Sequence, residues 1–179
     1  MSGQAADGGP SGTPAGAPRK LLFLCTGNSA RSILAEVLLN AMGQGRFRAY
    51  SAGSQPVGRV NPHALELLRL KGHSIEGLRS KSWDEFAAPE APRMDLIITV
   101  CDNAAGEVCP FWPGQPVTGH WGFEDPAAVD GDDARKREKF AQVYQQIERR
   151  LALFLGQQPD ALDAQALAAH VKALAKVAP

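Results

Sequence analysis

Apolar positions along this chain follow two alternating rhythms. Leu21-Leu22-Phe23-Leu24, within Lys20 to Cys25, runs without a polar break, as expected of a strand buried on both faces. Ile33, Leu34, Val37, Leu38 and Ala41 then recur at helical spacing, and Gly43 supplies the stop. Phe47 to Ser51 reads as a second short strand, closed by Ser51-Ala52-Gly53. Asn61-Pro62 predicts a helix start, a capping side chain followed by proline at the first helical position, with Leu65 and Leu68 on its face and Gly72 at its end. Asp95 to Val100 is the clearest strand, with Cys101 at its C-terminal end. Pro110, Pro113 and Pro116 break regular structure and leave a short fourth strand near Val117-Thr118. Phe140, Val143, Tyr144, Ile147, Leu151 and Phe154 mark a long helix, and Leu167, Val171 and Leu174 mark an alanine-rich final one. Alternation of this kind predicts an α/β fold, a four-stranded parallel sheet flanked by helices on both faces. Sites in such sheets lie beyond the carboxyl ends of the strands, where Cys25 and Cys101 both fall.

Composition narrows the picture. The chain has 179 residues, enough for one domain with a real core. Residues 1–18 are mostly small residues and proline, without the basic start and apolar centre of a signal peptide, so a disordered tail and a cytoplasmic protein are expected. Residues 19–157 form the expected domain and 158–179 an appended helical extension whose role is open. Formal net charge is zero, so neither nucleic acid nor an anionic membrane is an expected partner, and no apolar run is long enough to span a bilayer. No apolar seam beyond the core faces demands a dimer, so a monomer is expected. Three cysteines in a reducing compartment argue for chemistry over structural disulfides. No Cys-x2-Cys pair and no histidine pair at ligand spacing occurs, so neither a metal nor any other cofactor is expected.

The chemistry concentrates in Cys25-Thr26-Gly27-Asn28-Ser29-Ala30-Arg31-Ser32, between the first strand and the first helix. A cysteine and an arginine with five residues between them in this setting form an oxyanion cradle. Loop N–H groups and a helix N-terminus favour negative charge at one point. Arg31 can fork two hydrogen bonds onto a tetrahedral oxyanion. The same field is expected to lower the pKa of Cys25, with Ser32 hydrogen-bonding the thiolate. A bare Cys-x5-Arg match reads by default as a buried cysteine and a solvated arginine; the strand, helix, Gly27 and Asn28 around it favour the cradle.

Cys101 and Cys109 are separated by a small, polar segment short of core anchors, which could refold at low cost. Asp125, before Pro126 in a loop after the fourth strand, is the expected general acid, with Glu124 as its rival. His120 reads as structural, and Lys81 on composition alone as a surface lysine.

Together these residues resemble the low-molecular-weight tyrosine phosphatase superfamily, and within it the arsenate reductases, over roughly residues 20–155. Cys25 to Ser32 looks like the family's phosphate loop. Thr99-Val100-Cys101-Asp102, Cys109-Pro110 and His120-Trp121-Gly122 with Asp125-Pro126 look like the reductase branch. The resemblance implies Cys25 as nucleophile, Arg31 as oxyanion clamp and Asp125 as acid, with Cys101 and Cys109 as a redox relay reset by thioredoxin. The substrate it implies is an arsenate or phosphate oxyanion. Position 30 is Ala where many members carry a cysteine, and Ala127 stands where the phosphatases have a tyrosine, which weakens the case for a phosphotyrosine protein substrate. Some relatives bind potassium through residues matching Asn28, Glu36 and Ser51; Lys81 aligns with a carboxylate of theirs, so its ammonium is expected to replace the ion. The alternatives are a phosphatase acting on phosphomonoesters or phosphotyrosine, a reductase coupled to glutathione or mycothiol, and a non-catalytic oxyanion sensor.

Overall fold

The computed structural model describes residues 16–107, 110 and 112–178. Most of the amino-terminal tail and Cys109 lie outside the described residues. Four strands, β1 (Arg19–Cys25), β2 (Phe47–Gly53), β3 (Leu96–Thr99) and β4 (Val117–His120), form one sheet in the order β2-β1-β3-β4. All three pairings are parallel. The helices are α1 (Arg31–Met42), α2 (Pro62–Leu70), α3 (Asp84–Ala87), α4 (Asp102–Gly106), α5 (Asp133–Leu155) and α6 (Ala164–Leu174). Among the described residues, no helix is long and apolar enough to cross a membrane.

β1 is central, and its unbroken apolar run follows from its two covered faces. Leu21, Phe23 and Cys25 face the larger core with Ile33, Leu38, Val143 and Leu151. Leu22 and Leu24 face a smaller core with Phe86, Met94, Ile97 and Trp112. The register sets Cys25 beside Gly53 in β2, and Thr99 beside His120 in β4. All four residues therefore end their strands at the same edge of the sheet.

The predicted cap at Asn61 is present, and aspartates cap two later helices in the same way, Asp163 on Ala166 at the start of α6 among them. Asn61 caps α2 through its side chain on the His63 N–H, and Asp132 caps α5 on Arg135. α4 escapes the sequence pattern because its cap is a sulfur: Cys101 accepts the Ala104 N–H at 3.4 Å. The final segment shares the main core rather than lying free. Leu167, Val171 and Leu174 are buried there, and the Trp121 indole donates to the Val171 carbonyl at 3.1 Å. Gly119 makes that approach possible, since a Cβ there would sit 2.3 Å from Val171 Cγ1.

Candidate active site

The loop after β1 is built so that its carbonyls are occupied on the outside. Cys25, Thr26, Gly27 and Ser29 carbonyls accept from the N–H groups of Ser54, Gln55, Val57 and Asn61. In a trans peptide the N–H opposes the carbonyl, so the N–H groups of Thr26, Gly27, Asn28 and Ala30 turn to the inner side. Ala30 offers α1 no side-chain cap, which leaves the helix N-terminus open to an anion.

Asn28 fixes the loop's turn. It is fully buried in the left-handed region at φ 45°, where asparagine is tolerated better than most residues. Its amide donates to Ser32 Oγ at 2.8 Å, and its carbonyl oxygen accepts the Lys81 backbone N–H at 2.9 Å. As an acceptor there, the Ser32 hydroxyl keeps its own proton to donate. Gly53 closes the other side: a Cβ would lie 2.4 Å from the Thr26 carbonyl oxygen and 3.0 Å from Asn28. Sequence reading found Gly53 as a strand end, but the collision that forbids a side chain there has no local signal.

Arg31 begins α1 with its side chain mostly covered. It donates to the Phe123 carbonyl at 2.9 Å and lies 3.8 Å from Asp125 Oδ2. Asp125 also accepts the Ala127 N–H, which fixes the half-exposed carboxylate over the loop. Glu124 is instead engaged by Lys139. Of the two acids considered, the structure thus brings Asp125 to the arginine.

Cys25 and Cys101 are both buried, both free, and hydrogen-bonded to one another. The expectation of a lowered Cys25 needs correction on this point. The bond with Cys101 and burial push the Cys25 thiol above its ordinary value, against the pull of Arg31 and the Thr26 backbone. The same bond, opposed by burial but aided by the Ala104 and Thr26 groups, brings Cys101 down to about 5. The two thiols therefore titrate as a coupled pair, Cys101 losing its proton more readily than Cys25. Thr26 Oγ1 lies 3.7 Å from Cys101 Sγ and donates to Glu107 Oε1 at 2.9 Å. Glu107 and Asp102, whose carboxylate meets His120 Nε2 at 2.9 Å, were missed by sequence reading, since only the fold makes them neighbours of the loop and of β4.

Lys81 is buried rather than solvated, with its ammonium on the Arg79 carbonyl at 3.0 Å. Burial lowers its pKa, and the charge of Glu36 opposes that. Burial raises Glu36, which the Lys81 charge and the Ser51 hydroxyl, donating at 2.8 Å, oppose.

A strand, a cysteine-bearing loop, a helix begun by Arg31 and an aspartate brought to that arginine, in this order, define a class. A model of the low molecular weight phosphotyrosine protein phosphatase family matches residues 20–171, and the chain belongs to that family. Within it, the arsenate reductase of Halalkalibacterium halodurans is 37% identical over 134 residues, covering 75% of this chain and 93% of that protein. The arsenate reductase structure from Archaeoglobus fulgidus superposes with a TM-score of 0.55 at 30% identity, covering 74% of this chain and 98% of that one. The thioredoxin-dependent arsenate reductase of Corynebacterium glutamicum gives 0.52 at 25% identity, over 77% and 62%.

Proposed function

We propose that this chain reduces arsenate to arsenite by a cysteine relay that a dithiol protein of the thioredoxin kind resets. The observation that carries the proposal is the side-chain interaction between Cys25 and Cys101, two buried free thiols beside the loop that begins α1. Hydrolysis of a phosphoenzyme needs no second sulfur there, whereas a two-electron reduction carried out within the chain does. The arsenate reductases among the relatives support the same reading.

Arsenate enters the loop as a phosphate mimic, held by the inward N–H groups and Arg31. The Cys25 thiol passes its proton to an oxygen of the bound arsenate and attacks arsenic as a thiolate, helped by the charge of Arg31. Asp125 protonates the departing oxygen, which leaves as water. Cys101 then attacks the Cys25 sulfur. The sulfur–arsenic bond breaks with its electron pair going to arsenic, so arsenite departs and a Cys25–Cys101 disulfide remains. Cys109 attacks Cys101 and frees Cys25 as a thiolate. The external dithiol reduces the resulting Cys101–Cys109 disulfide by exchange.

A coupled assay tests this: NADPH oxidation through thioredoxin reductase and thioredoxin, with and without arsenate. Arsenate-dependent oxidation is expected, lost in Cys25→Ser and in Cys109→Ser, with slow aryl phosphate hydrolysis retained in Cys109→Ser. Full turnover by Cys109→Ser with thioredoxin would refute the relay and favour glutathione or mycothiol attacking the adduct.

A further inference from the structure

α4 is the element that the relay must move, and its packing is slight. Among its described side chains only Ala104 is buried, next to Cys101 at the cap, while Asp102 and Gly106 are exposed. Polar contacts from outside the helix meet it at both ends. At the start, Asp102 Oδ1 lies 2.9 Å from His120 Nε2, and His120 Nδ1 lies 2.8 Å from Thr99 Oγ1. At the end, Glu107 accepts from Thr26. Gly122 leaves room for the first contact, since a Cβ there would fall 3.0 Å from Asp102 Oδ1 and 3.3 Å from His120 Nε2.

The chain from Thr99 to Asp102 is polar-complete in either ring state. A neutral His120 donates from Nε2 to Asp102 and accepts the Thr99 hydroxyl at Nδ1. A protonated ring donates at both nitrogens, and the Thr99 hydroxyl turns to the Gly119 carbonyl, 3.4 Å away. Thr99 and His120 sit opposite each other at the ends of β3 and β4, so the rigid sheet holds the ring and the ring holds the helix.

We propose that His120 is a positioning residue for Cys101, acting through Asp102 to hold α4 shut over the oxyanion loop, with Glu107 on Thr26 as the second clasp. The proposal deepens the relay reading and rests on it for its kinetic consequence. An exposed contact of this kind is weak, as suits a clasp that must open in each cycle. Closed, it keeps the Cys101 sulfur against Cys25 for the attack. Open, it frees the segment to carry a disulfide outward.

The test compares wild type with His120→Ala, His120→Gln, Asp102→Ala and Asp102→Asn. Asp102 is 91% exposed, so its variants do not threaten folding. Hydrogen exchange of residues 102–106 and alkylation of Cys101 by iodoacetamide are expected to rise roughly two- to fivefold in both alanine variants. The single-turnover rate of Cys25–Cys101 disulfide formation with arsenate is expected to fall by a similar factor, with arsenate KM and aryl phosphate hydrolysis unchanged. Gln at 120, which keeps a donor in reach, and Asn at 102, which keeps the acceptor, are expected to recover most of the loss. Unchanged exchange and alkylation in both alanine variants would overturn the clasp. Faster exchange in a protein that never forms the disulfide with arsenate would uphold the clasp and sink the relay reading instead.

Discussion

At the scale of single residues, the sulfur pair departs from a simple picture of one activated thiol. A phosphatase-type loop alone would lower its cysteine through the arginine and the backbone N–H groups. Here a second buried thiol is hydrogen-bonded to the first, and the coupling raises Cys25 and lowers Cys101. Because Cys101 is depressed, the charge is present at neutral pH and is lost as pH falls through about 5. The Cys25 hydrogen bond is the largest cause, so Cys25→Ala is expected to return Cys101 toward or above the ordinary thiol range, about 8.5. Thiolate absorbance or alkylation rate against pH measures this directly. A Cys101 midpoint still near 5 in Cys25→Ala would mean that Ala104 and Thr26, not the partner sulfur, hold the charge.

At the scale of elements, Lys81 braces three pieces of structure at once. Its backbone N–H holds Asn28 in the loop, its ammonium reaches the Arg79 carbonyl, and its charge acts on Glu36 of α1, which receives Ser51 of β2. A positive charge fixed there is expected to order the loop without an added cation. Activity of the wild type is therefore expected to be indifferent to potassium. Lys81→Met is expected to lose roughly tenfold or more in kcat, with added potassium restoring part of it. A strong potassium activation of the wild type would contradict the brace. None of this was visible in composition, where Lys81 reads as a surface residue. β1, α1 and α5 were legible because burial on two faces or one stripe writes a period into many residues. α4 was not, because five residues capped by a cysteine sulfur carry no period and no usual capping type. Cys25, Arg31 and Asp125 could be nominated because their motifs are local in the chain, and the structure brings Arg31 within 3.8 Å of Asp125. Glu107, His120 with Asp102, and the bare face of Gly53 matter only through neighbours that the fold supplies.

At the scale of the whole molecule, α6 ties the far side of the sheet to the strap that carries the acid. Trp121 is buried against Phe154 and hydrogen-bonded to the Val171 carbonyl, and Phe154 stacks on His170 of α6. Arg150 of α5, 3% exposed, stacks over the Trp121 and Phe123 rings and donates to the Val177 carbonyl at 2.7 Å. Phe123 in turn supplies the carbonyl that holds Arg31. Removing residues 158–179 would expose Trp121 and Phe154, delete the burial of Leu167, Val171 and Leu174, and leave the Arg150 charge buried without its acceptor. Each lost apolar side chain is worth about 1.5–3 kcal/mol before the entropy of ordering the segment is set against it. The net expectation is a loss of several kcal/mol and a melting temperature lower by at least about 8 °C, read by calorimetry. Aryl phosphate hydrolysis below that melting point is expected to fall mainly in kcat, because the loosened strap misplaces Asp125 and the carbonyl that orients Arg31. A truncated protein with unchanged melting and unchanged kcat would show that the strap is held by α5 and the sheet alone.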